Sequence, residues 1–502
     1  MPEDKAESFV EHLTGYRNSE DPAVQTDALT LSYADLIERV EDTAKQLRAS
    51  GVEAGDRVLI TLPNSAEHII GVLAVNLLRA IAVPLDADAG SCRLADVVDQ
   101  TAPRFCLADA NQPALPDIQT VRLCIDPASK SAICSVEGSA PVLKQMPPDQ
   151  QIAFIRFTSG STGHAKGVEI THAQQLWTAR TLSEHFGLDS DHRELMLVSM
   201  ALSGGWQRVA ATLYAGGCVV VADKPLSVGD LLDTVVSTRA TGFFTPPPLV
   251  RMLLSSPADR VREALPACST IEIGSAAVSA DELQALITLL PDTQIYFHYG
   301  LTECSRAFIL DTASYPDRLA TVGRPAPGVE IRIVDDQGCD VSAGGSGQIL
   351  LRGPQLTSGY WQRPELNRER FFDGWLASGD YGSLDGAGFL TLRGRHDDLI
   401  NCGGHCYFPD EVENALGTPA GIEQYLITGV PDPRGVLQEI PWAFVVPVDI
   451  DGWSPKEFLA LARTRLPAHM VPRQVVVISS LPLTPSGKHD RRETVRLYAT
   501  NV

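Results

Sequence analysis

The stretch FTSGSTGHAKGVEITH, beginning at Phe157, gathers three glycines, two serines, two threonines and one lysine within a dozen residues. Backbone N–H groups, hydroxyls and one cation can all be aimed at an anion from such a loop, so its composition points to phosphate. It is not a Walker loop, which requires Gly-x-x-x-x-Gly-Lys-Ser/Thr. Here Lys166 follows Gly163 by three positions and is itself followed by Gly167. A second cluster, NCGGHCY, puts Cys402, His405 and Cys406 within five residues. A closed zinc site needs a fourth ligand, usually from a second pair, and the sequence supplies no such pair, so a glycine-bearing turn is expected there.

The elements around the phosphate-type loop alternate. Ser32 can cap a helix carrying Leu36, Val40 and Leu47, and after Gly51 comes the strand-like RVLITLP. NSAEHIIGVLAVNLLRA reads as helix, IAVPL as a short strand, and LADVVDQTAPRFCLADA repeats the cycle. This is the pattern of an α/β domain with parallel strands. QIAFIRF is a buried-strand candidate that leads into the loop, and open α/β sheets bind ligands at strand ends. After GFLTLRGRHDDLI the texture changes, and the remainder is long enough for a small α+β domain. The division expected is a multi-layer α/β domain at 1–396 and a small α+β domain at 397–502.

Four distant segments join the loop: YGLTE at Tyr299, SGDYG at Ser378, GRHDDLINCGGHCYFPDEVE at Gly394 and PLTPSGK ending at Lys488. In this order and spacing they resemble the adenylate-forming superfamily of acyl- and aryl-CoA ligases, peptide-synthetase adenylation domains and luciferases, and most of all an acyl-CoA ligase. The resemblance spans nearly the whole chain and implies ATP, Mg²⁺ and coenzyme A as cofactors, and a large N-terminal domain with a mobile C-terminal lid. It implies that Thr158, Ser159, Gly160, Ser161, Thr162, Gly163, Lys166 and Gly167 hold the β- and γ-phosphates of ATP. Tyr299 would stack on adenine, Thr302 meet the α-phosphate, and Glu303, with Thr158, hold Mg²⁺, a hard cation suited to oxygen ligands. Asp380 would accept from both ribose hydroxyls, and Arg395 would reach the ribose as well.

Lys488 is the residue the resemblance assigns to catalysis, alongside Thr302 and Glu303. A carboxylate that approaches a polyanion is repelled; two unit charges at ~4 Å cost about 4 kcal/mol at an effective dielectric near 20. A lysine bridging both anions reverses that term. Asp397, in Gly-Arg-x-Asp, matches the family hinge about which the lid would rotate, so that the lysine leaves before a thiol approaches the same carbonyl. Gly403 and Gly404 resemble the lid glycines of CoA ligases, which leave no side chain in the path of a pantetheine arm.

The acid pocket is expected in VSMALSGGWQ, FFTPPPL, IEIGSAA and the residues around Tyr299, with Leu202, Gly204, Trp206, Gly274, Ser275, Tyr299 and Cys304 on its wall and Gly274 also beside the nucleotide. Leu202 stands where amino-acid-activating relatives carry an aspartate, and a buried ammonium without a counter-ion is costly. The expected carboxylic-acid substrate is therefore a bulky apolar or aryl acid in a roomy apolar pocket, not an α-amino acid. Several positions depart from the family pattern: Arg156 before the loop, His164 and Ala165 where Pro-Lys-Gly is usual, and Gln348 for glutamate. Proline at position 165 would stiffen the loop's exit, and Arg156 could compete for the phosphate donors. These departures raise the expectation that adenylation is the slower half-reaction, even that a partner adenylating enzyme supplies the adenylate. Carrier-protein loading is an alternative to free CoA, and a non-catalytic nucleotide- or CoA-binding regulator is the reading from another class; Lys488 and Glu303 argue against the latter.

The bulk properties agree with this picture. Length favours two or more domains: the chain has 502 residues, 44% of them hydrophobic, and its mean hydropathy is near zero. The formal charge of −21 argues against a nucleic-acid partner. The longest apolar stretch is interrupted by Asn76 and Arg79 and is too short to span a bilayer. The acidic start lacks the apolar core of a signal peptide, and ten scattered cysteines fit reduced thiols; a cytoplasmic location is expected.

Overall fold

The computed structural model describes residues 8–109, 112, 115, 117–125, 132–137, 152–158, 165–222, 227–265, 268–417, 419–450, 452–483 and 489–499. Ser159, Gly160, Ser161, Thr162, Gly163 and Lys488 lie outside them. The chain forms two compact units, one of Met1–Leu319, Gly323–Glu330 and Leu351–Leu376, the other of Ala320–Val322, Ile331–Leu350 and Ala377–Val502. Both are mixed α/β. No helix among the described residues is long and apolar enough to cross a membrane.

The expected alternation is present in the first unit. Ser32 caps the helix Tyr33–Ala49 in a reciprocal box with Asp35, and Leu36, Val40 and Leu47 are on its buried face. Strands Arg57–Ile60, Ile81–Pro84 and Phe105–Ala108 are buried throughout and pair in parallel, as fully covered strands do. They lie inside an eight-stranded sheet. Helices Ala66–Leu77 and Ser91–Thr101 fill the crossovers.

One connection differs from a doubly wound sheet. Strand Ile152–Thr158 pairs in parallel with Ile81–Pro84 on one side, but on the other it pairs antiparallel with Lys166–Thr171, with Thr158 opposite Lys166. The glycine-rich segment therefore joins the two arms of a hairpin. A short loop suffices for an antiparallel return, whereas a parallel one needs a crossover.

The second sheet of this unit has nine strands. At its centre Arg193–Leu195, Gly242–Thr245, Thr270–Ile273 and Gln294–Tyr299 run parallel. Charge is buried against this sheet. Glu194 and Glu272 are fully inaccessible, as is Arg208 on helix Ser203–Tyr214. Arg208 Nε donates to Glu194 Oε1 at 2.8 Å, and its Nη1 lies 3.6 Å from Glu272 Oε2. Arg306 donates to both Glu272 oxygens, at 2.9 and 3.2 Å, and His298 Nδ1 lies 2.7 Å from Oε1. Burial alone would raise both carboxyls. Arg208 and His192 instead hold Glu194 down at about 2, and Arg306, His298 and Arg208 hold Glu272 well below the usual carboxylate range.

The second unit has its own core around Ile400, Val412, Ile427, Ala443 and Phe458. Strands Ile422–Pro431, Glu439–Pro447 and Gln474–Val477 form a three-stranded sheet, flanked by helices Pro409–Leu416, Pro455–Arg465 and Arg491–Tyr498.

Glu194→Gln is expected to leave Arg208 short of a counter-charge in the core and to cost about 3–5 kcal/mol, read by urea unfolding at neutral pH. The Glu194 pKa is depressed on folding, so its contribution is complete above the ordinary value of 4.5 and is lost as pH falls toward about 2. The stability of Glu194→Gln should accordingly depend less on pH across that window.

Candidate active site

Strand Gln294–Tyr299 ends on Tyr299, whose buried ring lies 6.3 Å from that of Phe308. The chain then turns, with Leu301 N–H bonded to Cys304 O, and presents Thr302 and Glu303. Glu303 is held twice. Its carbonyl accepts from Thr357 N–H at 2.8 Å, and its Oε1 accepts from the Tyr360 hydroxyl at 2.7 Å. Tyr360 belongs to the short strand Gly359–Tyr360, paired with Lys166–Thr171 through Val168. Lys166 Nζ sits 6.0 Å from the centre of the Tyr360 ring, and Trp361 N–H bonds Gly167 O at 2.8 Å. Thr158, Lys166, Gly167 and Glu303, far apart in sequence, are thus tied together through the segment 357–361. Tyr360 carries no motif, and the sequence reading missed it.

This donor set suits a hard cation. One carboxylate with a second oxygen beyond the Tyr360 bond matches the way Mg²⁺ is held by one or two carboxylates together with substrate phosphates. Among the described residues no group of three or more His, Cys, Asp or Glu is placed to cage a metal on its own. Cys402 is buried, and the His405 ring stacks on His469 at 4.4 Å.

The exit of the glycine-rich loop is fastened. Ala165 N–H donates to Asp96 Oδ2 at 3.1 Å, and Ala165 O accepts from Gln100 Nε2 at 2.9 Å. Both partners are on helix Ser91–Thr101. A proline has no N–H to make the first bond, so alanine here brings an anchor and not looseness. That removes one physical reason for expecting slow adenylation. Arg156 removes another. Its Nη1 donates to Ala201 O at 2.9 Å and its guanidinium lies 4.3 Å from the Phe154 ring centre, so it serves the segment before helix Ser203–Tyr214. Asn64 pins the same segment, donating to Val198 O and accepting from Met200 N–H.

The glycines of the expected acid pocket have a different reason from roominess. A Cβ on Gly274 would lie 2.1 Å from the His298 ring, and one on Gly204 would lie 2.8 Å from Phe244. Phe244 and His298 pack together at 5.5 Å between centres, and the Arg306 guanidinium lies over Phe244. The apolar room expected over these glycines is filled by rings. A small opening lies instead in a cavity whose wall includes Arg156, Gln175, Trp206, Gln207, Thr302 and Gln355. Gln207 is fixed on that wall: its carbonyl accepts from Ser305 Oγ and Arg306 Nη1, and its amide donates to Ser203 Oγ at 3.1 Å. Of the residues expected around the acid, Trp206 lines this cavity, and Leu202, Gly204, Gly274, Ser275, Tyr299 and Cys304 lie outside its lining. Leu202 is half-buried at the helix N-terminus, Ser275 takes a left-handed φ of +74°, and burial pushes the Cys304 thiol up to about 12. The buried glutamates and arginines behind this wall were also missed; a lone glutamate inside an apolar strand, as in TIEI, is the signal that would have found them.

In the second unit Asp380 and Arg395 face each other across paired strands, with Arg395 Nε 3.2 Å from Asp380 Oδ1. Asp380 N–H donates to Ser378 Oγ. Asp397 lies in the 3₁₀ turn His396–Asp398. Gly403 and Gly404 join strands Ile400–Cys402 and His405–Tyr407 with φ of +62° and +87°, the two-residue hairpin turn that demands positive φ at both positions. Three residues beyond Lys488, Arg491 is clamped by Glu413 at 2.7 Å and Asp410 at 2.5 Å.

Comparison with known proteins accounts for this arrangement. The model of the AMP-binding enzyme family matches residues 12–361, and that of the AMP-binding enzyme C-terminal domain matches 411–488. The chain belongs to the AMP-binding enzyme family. A feruloyl-CoA synthase of an Amycolatopsis species is 31% identical over 485 residues, covering 95% of this chain and 96% of the relative. The indoleacetate–CoA ligase of Aromatoleum aromaticum is 30% identical over 495 residues, covering 95% of each. Among solved structures, the o-succinylbenzoate CoA synthetase of Bacillus subtilis, in complex with its acyl-adenylate, superposes with a TM-score of 0.82 at 25% identity, covering 97% of both chains. As a member of this family the protein is an adenylate-forming enzyme of the ATP-dependent, AMP-forming acyl-CoA ligase kind.

Tyr360→Phe removes the hydrogen bond to the Glu303 carboxylate. A bond to a charged group is worth about 1.5–3 kcal/mol, so acid-dependent pyrophosphate exchange is expected to fall roughly 10-fold or more, with a higher Mg²⁺ requirement and an unchanged melting profile. Ala165→Pro, made toward the family pattern, is expected to lower the same rate, because it deletes the N–H that Asp96 accepts.

Proposed function

We propose that this enzyme activates a ring-bearing carboxylic acid as its acyl-adenylate and transfers the acyl group to the thiol of coenzyme A. The observation that carries the reading is the meeting of two sides at adjacent residues: Thr302 is on the wall of the cavity, while Glu303 is tied to the lysine-bearing hairpin through Tyr360. An acid in the cavity and a triphosphate along the hairpin would meet there. The aryl acids named in two relatives, feruloyl and indoleacetate, support a ring as the substrate body.

In the first half-reaction a carboxylate oxygen bonds to the α-phosphorus, and the bond from that phosphorus to the bridging oxygen breaks as pyrophosphate leaves. Thr158, the loop 159–163, Lys166 and Gly167 hold the departing phosphates. Thr302 donates toward the α-phosphate and Tyr299 carries the adenine. Glu303, with Thr158, takes Mg²⁺, which supplies charge neutralisation on the phosphate oxygens. Asp380 and Arg395 take the ribose. Lys488 bridges the two reacting anions, which removes their mutual repulsion. In the second half-reaction the thiol sulfur attacks the acyl carbon and AMP leaves with the electron pair of the broken C–O bond. Residues 397–502 act as a lid on the 1–396 body, with Asp397 as the hinge that withdraws Lys488 and brings Gly403 and Gly404 to the thiol path.

Lys488→Ala is expected to cut pyrophosphate exchange by roughly 10²–10³-fold, the range for one preorganised charge donor. Thioester formation from a synthetic acyl-adenylate should largely persist, measured by mass. An equal loss in both half-reactions would overturn the two-position lid. Gly404→Asn, which tolerates the left-handed turn, should do the opposite, keeping exchange while slowing thioester formation.

A further inference from the structure

Arg156 is a guanidinium in the core of the first unit, 4% exposed, on a strand that is otherwise apolar up to Phe157. Its Nη1 is satisfied by Ala201 O, but its Nη2 has no hydrogen-bond partner. Burial without a compensating carboxylate pulls its pKa down to about 9. The buried glutamates of this unit are committed elsewhere, Glu194 to Arg208 and His192, Glu272 to Arg306 and His298. A buried cation left without a counter-charge is costly, and nothing in the packing of Phe154 and Ala201 requires a charge.

The cavity that Arg156 lines collects further unpaired groups. Trp206 Nε1, both amide atoms of Gln175, and Gln355 Oε1 are buried without partners, and all three residues are on its wall with Arg156 and Thr302. Three donors without partners, one of them cationic, are therefore carried by residues that line the same cavity as Thr302, the residue beside Glu303. Among the described residues no aspartate or glutamate lines it. Native proteins leave few buried polar atoms unsatisfied, so a cluster of them in one cavity describes what the cavity takes.

We propose that the acid substrate carries a second anionic group, in its simplest form a second carboxylate, and that Arg156 reads it with Trp206 and Gln175. This rests on the ligase reading: one carboxylate reacts beside Thr302 while the other pairs with the Arg156 Nη2 on the wall of the same cavity. Arg156 is thereby a specificity-determining residue, and the acid pocket recognises a dianion with a charged tail, not an apolar ring alone. A carboxylate accepting from a guanidinium and two neutral N–H donors is satisfied on both oxygens, and a neutral analogue would leave the same donors unpaired, which is the condition for strong discrimination.

The test uses the full chain and two matched pairs of acids: 4-carboxycinnamate against its 4-methoxycarbonyl analogue, and adipate against its monomethyl ester. Thioester formation with ATP and CoA is measured by mass, and binding of each acid without ATP by Trp fluorescence. The wild type is expected to favour the charged member of at least one pair by roughly 10²-fold in kcat/KM, through KM more than kcat. Arg156→Gln should abolish that preference or reverse it, and Arg156→Lys, which restores the charge, should recover part of it; recovery in the lysine variant separates charge recognition from a folding defect in the glutamine variant. Equal use of both members of both pairs by the wild type, or a preference that survives in Arg156→Gln, overturns the proposal and leaves the ligase reading standing. Charge-selective binding that disappears in Arg156→Gln, with no thioester or pyrophosphate from any acid, supports the role of Arg156 and overturns the ligase reading.

Discussion

The chain of charges Glu194–Arg208–Glu272–Arg306 is the interaction on which the packing of helix Ser203–Tyr214 and the turn after Tyr299 depends. Two carboxylates and two guanidiniums are enclosed where water cannot screen them, so each must be matched by geometry. The matching joins elements that share no backbone hydrogen bonds across the whole set: the strands Arg193–Leu195 and Thr270–Ile273, the helix Ser203–Tyr214, and the turn that follows Tyr299. Arg306 accepts a left-handed φ of +45° to reach its place, and from there also fixes Gln207 and the carbonyl of Gly204.

The phosphate side is positioned by a different principle. Its hairpin is an edge of the eight-stranded sheet, and an edge needs a cover. The short strand Gly359–Tyr360 supplies it, and the same segment brings the tyrosine that holds Glu303. Covering the edge and orienting the carboxylate are therefore one structural act. The side chains of Asp96 and Gln100 complete it at Ala165, where the family's proline would stiffen the chain by its ring.

The second unit shows how one residue type can answer two demands. Gly403 and Gly404 suit a narrow passage for a thiol arm, but the hairpin between Ile400–Cys402 and His405–Tyr407 needs both of them for its turn. A side chain at Gly403 would also meet Leu437 at 2.9 Å. Glycine at these two positions is consequently explained by local backbone geometry before any passage is considered.

Much was legible in the sequence because it is written locally. The cap at Ser32, the βα alternation up to Ala108, the strand before the glycine-rich loop and the small α/β second unit follow from periodicity and capping, which act over a few residues. The five motifs named the family because their order is itself sequence information. Local patterns do not record which side of a strand meets which partner. Arg156 reads as a departure in a motif, yet only the fold pairs it with Ala201 and sets it on the wall of a polar cavity. Gly204 and Gly274 read as room, yet only the fold places Phe244 and His298 over them. Tyr360, Arg208 and Glu272 read as ordinary residues until strands far apart in sequence are brought side by side. The sequence by itself determined the elements and the chemistry of the phosphate side, because short-range spacing encodes them. The shape and charge of the acid side were decided by tertiary structure, because pairing buried charges and filling the space over a glycine are long-range contacts that no single segment contains.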